Sequence, residues 1–144
     1  MIFRKCRAED VVRREAERLK TAIVKIEFAK TIVSVAKRKR VDKLLMESAI
    51  IGIPASSRNI ANLYMDSAFN DIEKTVKSLR KVEKEMIKRN INNTRKKIHY
   101  LREELERTAH EETGSSQLLT LRLQKAITEL EEIAKNLRKL AMKI

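Results

Sequence analysis

Apolar residues recur every three or four positions along most of the chain, which is the spacing of one buried face on an α-helix. This periodicity predicts four helices, at about 8–39, 57–89, 94–110 and 116–143, the first with a possible extension over 41–51. The fourth has the clearest pattern, an unbroken heptad series formed by Leu119, Leu123, Ala126, Leu130, Ile133, Leu137, Leu140 and Ile144. Such a series packs against partner helices along its whole length.

Helix-breaking residues separate these segments. Gly52 and Pro54 end the first, because glycine suits the left-handed position after a helix and proline cannot continue one. Gly114 marks a loop before the fourth segment. The polar run over 90–94 leaves two alternatives, a turn or one helix through 57–110. We favour a turn or bend, because a helix of about fifty residues exceeds the usual length in a globular domain.

The predicted fold class is all-α, an antiparallel four-helix bundle in a single domain over 1–144. With two Gly, one Pro, no Trp and 3% aromatic residues, the composition argues against a sheet protein. Most of the aromatic residues are expected in the core: Phe3, Phe28, Tyr64, Phe69 and Tyr100. The alternative architecture is a long coiled-coil hairpin that dimerises.

The chain is strongly basic, with 33 Lys and Arg against 20 Asp and Glu and a net charge of +13. This balance favours a polyanionic partner, either nucleic acid or an acidic protein or lipid surface. No apolar stretch reaches the length of a membrane span, and the start of the chain lacks the pattern of a signal peptide. We therefore expect a cytoplasmic protein, and the single cysteine, Cys6, excludes an intrachain disulfide.

Six cations recur at steps of three, four and seven, so on a continuous helix they form one stripe: Lys74, Lys77, Lys81, Lys84, Lys88 and Arg95. The stripe would run roughly 30 Å, comparable to several phosphates of a nucleic-acid backbone. A basic tetrad is the second candidate nucleic-acid-binding site: Lys37, Arg38, Lys39 and Arg40. The alternative is a solvated face, because Glu73 and Glu85 precede Lys77 and Arg89 by four residues.

No catalytic constellation is present in the sequence, so we predict a protein that is not an enzyme and has no cofactor. Four residues with metal-ligating side chains share one helix face: His99, Glu103, Glu106 and His110. A di-iron bundle needs Glu-x-x-His motifs from several helices, and the chain contains none. We therefore predict no metal site and interpret this face as exposed.

A compact chain rich in Lys, Ile and Arg, with four apolar-striped helices and no enzyme motif, resembles the four-helix-bundle virion proteins of archaeal spindle-shaped and two-tailed viruses. The resemblance implies association with viral DNA in a particle, or a regulator acting on the host RNA polymerase, located in the host cytoplasm or the virion. Abundant Lys, Arg, Glu and Ile with only two Gln also resembles the bias of hyperthermophile proteins. The resemblance assigns no role to any single residue.

The sequence therefore predicts a non-enzymatic basic helical bundle that binds nucleic acid, with double-stranded DNA expected, through phosphate contacts. The alternative is a protein-binding regulator whose cations dock on an acidic surface of a nucleic-acid-processing machine such as RNA polymerase. Neither function requires a small-molecule substrate, and homo-oligomers are compatible with both.

Overall fold

Four helices make up the described part of the chain in a computed structural model. They are α1 (Ile2–Glu47), α2 (Ala55–Lys88), α3 (Asn92–His110) and α4 (Ser116–Met142). The backbone is described for 2–47, 55–110 and 116–142, and side chains for 8–35, 59–110 and 116–140. Several predicted features lie outside these residues: Phe3, the breakers Gly52, Pro54 and Gly114, the last heptad residue Ile144, and the side chains of Lys37, Arg38, Lys39 and Arg40.

The helices pack in a ring, in which α1 contacts α2 and α4, and α3 contacts the same two helices. Contacts across each interface run in opposite chain directions. The Lys25 Nζ donates to Asp71 Oδ2 over 2.6 Å, whereas Arg14 shares a groove with Lys81. Residue numbers therefore fall on α2 as they rise on α1, and the all-α four-helix bundle predicted from the sequence is confirmed.

The core consists of the residues at helical spacing on the inner side of every helix. Its largest fully buried side chains include Leu19, Ile26, Ile72, Leu79, Met86, Ile98, Leu105, Leu123, Leu130 and Leu137. Each contributes about 1.5–3 kcal/mol through removal of its apolar surface from water. The expectation that most aromatic residues lie in the core is wrong: Phe28 and Tyr100 are 52% and 65% exposed, and Tyr64 and Phe69 are only half-buried.

Helix α1 is longer than the predicted 8–39, because it begins at Ile2 and continues without a break to Glu47. The polar run over 90–94, in contrast, contains a real break: α2 ends at Lys88 and α3 begins at Asn92. Asn90 has a φ of 57°, a left-handed conformation that asparagine tolerates better than most residues. This turn reverses the chain so that α3 returns along α2.

Candidate nucleic-acid interface

Five lysines form one exposed row on α2, which we call the lysine row: Lys74, Lys77, Lys81, Lys84 and Lys88. Helix α2 positions them because its opposite side carries the core residues Ile72, Leu79 and Met86, all almost completely buried. Burial of that apolar side fixes the rotation of the helix and turns the row outward. At about 1.5 Å per residue, the row is ~21 Å long.

Two carboxylates near the lysine row, Glu83 and Glu85, contact side chains outside the row. Glu83 contacts His99 Nδ1 at 2.7 Å and also accepts a hydrogen bond from Arg102. Glu85 Oε1 lies 3.1 Å from Arg89 Nη2. Among the described residues, none of the five lysines is within ion-pair distance of a carboxylate. Arg102 and Arg89 thus pair with Glu83 and Glu85, and in the described structure no carboxylate forms an ion pair with the lysine row.

Of the two helix ion pairs that the solvated-face alternative invoked, one is present in the described structure. The helical pair Glu85–Arg89 forms, but Arg89 is not a member of the lysine row. The Glu73–Lys77 pair, also spaced for helix ion pairing, is not within 4.0 Å in the described structure. The row retains a local excess of positive charge.

Arg14 of α1 extends the basic surface across the α1–α2 interface. A groove of about 560 Å³ is lined by two cations of the lysine row, Lys81 and Lys88, together with Arg14 and Ser78. The Arg14 side chain is 63% exposed, and its Nε lies 3.7 Å from the buried Oε2 of Glu15. Arg14 is on a different helix from the lysine row, so the spacing of residues along one helix cannot identify it. Its position beside Lys81 depends on the register between α1 and α2.

Arg95 does not continue the stripe along one helix, contrary to the simplest interpretation of its spacing. The break after Lys88 places it on α3. On α3 it precedes His99, Arg102 and Glu106 by steps of four, three and four, and these three side chains contact α2. The backbone N–H of Arg95 donates to the Ile91 carbonyl at the start of α3. Arg95 is therefore on a different helix from the other five members of the predicted stripe.

The helix face with metal-ligating residue types is an ion-pair network between α2 and α3. His99 contacts Glu83 and Glu103 through its two ring nitrogens, at 2.7 and 2.9 Å. Glu106 accepts hydrogen bonds from Arg80 and from Arg102. Within the described ranges, no group of three His, Cys, Asp or Glu side chains is arranged to hold a metal ion.

Burial and ion pairing shift the pKa values of Glu106 and Arg102 in opposite directions. Desolvation raises the pKa of Glu106, but hydrogen bonds from Arg80 and Arg102 outweigh it and hold the pKa below its usual range. Desolvation likewise lowers the pKa of Arg102, and its bonds to Glu83 and Glu106 reverse the effect and raise that pKa. Pairing therefore favours the charged forms of Arg102 and Glu106, and the network joins α3 to α2.

None of the helices, over the residues described, is long and apolar enough to cross a membrane. No known protein family, curated protein sequence or solved structure matches the chain.

Proposed function

We propose that this protein is a non-enzymatic basic bundle that binds the phosphates of double-stranded nucleic acid, and that this nucleic acid is DNA. The observation that carries the proposal is the lysine row, five exposed ammonium groups on one helix face without a carboxylate partner in the described structure. Ammonium groups on flexible stems act as point charges on phosphates and do not distinguish bases. Binding is therefore expected to be independent of base sequence.

The resemblance to virion proteins of archaeal viruses supports a more specific form of this proposal. In that form, the protein is a structural component associated with viral DNA, in the host cytoplasm or in the particle. A protein that coats or packages DNA benefits from contacts that do not distinguish sequence, because it must bind at every position.

The direct test compares two variants that remove the same charge from opposite corners of the bundle. Lys77→Gln, Lys81→Gln and Lys84→Gln remove three cations from the lysine row. Lys125→Gln, Lys135→Gln and Lys139→Gln remove three exposed cations from α4, which does not contact α2. We expect duplex affinity, measured by fluorescence anisotropy, to fall at least tenfold more for the first variant than for the second. Equal losses of affinity in the two variants would show that binding depends on net charge alone and would contradict a localised site.

A second candidate function is a regulator that docks on an acidic segment of a nucleic-acid-processing protein such as RNA polymerase. The groove beside the lysine row favours it, because Val11 and Val82 line the same groove as the cations Arg14 and Lys81. The groove is also lined by Glu85, which is paired with Arg89, so its rim is mainly basic. An apolar floor with such a rim suits an acidic amphipathic peptide better than a bare phosphate. Partners retained on the immobilised protein after nuclease treatment would support this function, and loss of every partner would reject it.

A further inference from the structure

Five large apolar side chains are exposed on the outer side of the α1–α2 pair, the side that faces away from α3 and α4, and we call them the apolar end patch. Their exposed fractions are between 40 and 67%: Val24, Phe28 and Val35 on α1, and Ile60 and Leu63 on α2. The ring of Phe28 lies 5.0 Å from that of Tyr64, centroid to centroid, and joins the two helices. Contiguous exposed apolar surface of this kind marks an interaction site.

The register between α1 and α2 makes the patch continuous. Lys25 contacts Asp71 at 2.6 Å, and the two helices are antiparallel. Ten residues further along α1, Val35 is therefore level with Ala61, beside Ile60. In the ring of helices the α1–α2 pair lies opposite the α3–α4 pair, so neither α3 nor α4 covers this outer side.

The patch and the lysine row lie on the same face of α2. One series at steps of three and four contains both, and it has no acidic residue: Ile60, Leu63, Ser67, Asn70, Lys74, Lys77, Lys81, Lys84 and Lys88. The series is ~42 Å long. On α1, the helix continues past Val35 into the basic tetrad over 37–40, whose side chains lie outside the described residues. Basic sequence therefore lies beyond both ends of the patch.

The carboxylates of α2 near the patch are directed toward α3 or are paired. Asp66 and Glu73 precede Arg80 at steps of seven, and Arg80 contacts α3. Residues seven apart share a helix face, so both carboxylates lie on the α3 side of α2. Asp71 is paired with Lys25. The outer face of α2 is therefore apolar at one end and basic at the other.

The carboxylates of α1 leave the surroundings of the patch similarly free of unpaired negative charge. Glu27 follows Lys20 by seven residues, and Lys20 contacts α4, so Glu27 lies on the α4 side of α1. Glu17 is paired with Lys20 at 3.0 Å. Asp10 is on the outer side, close to Arg14 in sequence and ~21 Å from Val24 along the helix.

Exposed apolar side chains and cations on one side of a protein match the two layers of an anionic membrane surface. The apolar groups enter the boundary between headgroups and acyl chains, and the lysines contact the negative headgroups. A nucleic-acid duplex stacks its bases inside and offers no apolar layer to the patch. A second copy of this chain, with a net charge of +13, would bring cations against cations.

We infer that the outer side of the α1–α2 pair docks on an anionic lipid membrane, with the apolar end patch in the interface and the lysine row on the headgroups. The inference goes beyond the proposed function, because it assigns a second partner to the protein. Both partners use the lysine row, so a membrane and a duplex compete for it.

The experiment uses the full chain in three forms. The patch variant carries Phe28→Gln and Leu63→Gln. The control carries Tyr100→Gln and Leu121→Gln, an aromatic residue and a leucine of similar exposure on α3 and α4. Neither pair changes the net charge, and circular dichroism verifies that each variant retains its helices.

Cosedimentation with vesicles measures docking. One set of vesicles is pure phosphatidylcholine, and the other contains about 30% phosphatidylglycerol, which supplies a negative surface potential. We expect wild type and control to bind the anionic vesicles and not the neutral ones, and the patch variant to bind them roughly tenfold more weakly. A wild type that ignores anionic vesicles overturns the inference, as does a patch variant that binds them as wild type does.

A fluorescent reporter tests whether the patch enters the membrane. The chain contains no tryptophan, so Phe28→Trp introduces a single indole. On anionic vesicles with brominated acyl chains, this indole should be quenched, because bromine quenches on contact, whereas an indole introduced by Tyr100→Trp on α3 should not. Binding without quenching at position 28, or equal quenching at both positions, would overturn the inference.

A short duplex separates this inference from the proposed function. Wild type and patch variant should bind it within twofold of each other, and it should release wild type from anionic vesicles. A wild type that binds vesicles through the patch but does not bind the duplex supports this inference and contradicts only the nucleic-acid function. Dimers of free wild type that the patch variant cannot form, without binding to vesicles, would assign the patch to a second copy and overturn the inference.

Discussion

The backbone N–H of Ile91 donates to the carbonyl of Met86, five residues earlier, over 3.1 Å. The N–H of Asn90 donates to the carbonyl of Ile87 over 3.2 Å. This pair of bonds is a Schellman motif, in which Asn90 takes the left-handed position and the apolar residues Ile91 and Met86 line the same small cavity. The motif ends α2 at a fixed residue and lets α3 return antiparallel.

The first prediction concerns Asn90. Asn90→Gly should stabilise the protein slightly, by about 0.5 kcal/mol, because glycine adopts positive φ without a steric penalty. Asn90→Val should destabilise it by about 1–2 kcal/mol, because a β-branched residue is strained in this conformation. Denaturant unfolding measures both, with Asn62→Val in the exposed interior of α2 as the control. A smaller loss for Asn90→Val than for Asn62→Val would contradict the role of the motif.

The second prediction concerns a buried hydroxyl. Thr75 is fully buried and its Oγ1 lacks a hydrogen-bond partner, whereas the Oγ1 of Thr108, a residue that is 2% exposed, donates to the Glu104 carbonyl over 2.8 Å. Thr75→Val should therefore stabilise the protein by about 1 kcal/mol, since it removes an unsatisfied polar group at nearly constant volume. Thr108→Val is the matched control, for which no such gain in thermal unfolding temperature is expected. Similar effects of the two substitutions would refute the argument.

The third prediction concerns the ion pair between Glu83 of α2 and Arg102 of α3. Glu83 is 10% exposed and pairs with Arg102, itself 13% exposed. Glu83→Ala should cost about 2–4 kcal/mol, because it leaves a largely buried guanidinium without this partner. Glu104→Ala removes an exposed pair with Arg107 and should cost less than about 1 kcal/mol. Equilibrium unfolding in urea compares the two, and equal costs would show that the network does not fasten α3.

The fourth prediction is a pH dependence. Because the pKa of Glu106 is lower in the folded protein than its ordinary value of 4.5, the unfolded chain binds its proton first as pH falls. The stabilisation is complete above about pH 5 and is lost progressively below it. Glu106→Gln should therefore lower stability at pH 7 and have a smaller effect near pH 3. Glu27→Gln, at an exposed carboxylate, should show no comparable difference between the two pH values.

Much of the fold follows from the periodicity of apolar residues. The heptad positions of α4 from Leu119 to Leu137 are buried as predicted, because their spacing leaves only one side of a helix on which to bury them. Length, however, was a poor guide to helix ends. The usual length of helices favoured a break between α2 and α3, but the same argument would have excluded α1, which has 46 residues. The break arises from the local chemistry of Asn90.

The candidate site was predictable only within one helix. The spacing of the lysine row places its five members together, and the structure retains that arrangement on α2. The pairing of Glu83 and Glu106 with arginines, and the position of Arg14 beside Lys81, depend on the register between helices. A single sequence contains no direct signal for that register.

The salt dependence of duplex binding tests most directly whether the lysine row contacts phosphates. A plot of log Kobs against log salt concentration has a slope of about −0.9 for each phosphate neutralised. With the five lysines of the row and Arg14, we predict a slope near −5, and a slope less steep by about 3 in the variant with Lys77→Gln, Lys81→Gln and Lys84→Gln. A slope near zero, or the same slope in wild type and variant, would contradict the central claim.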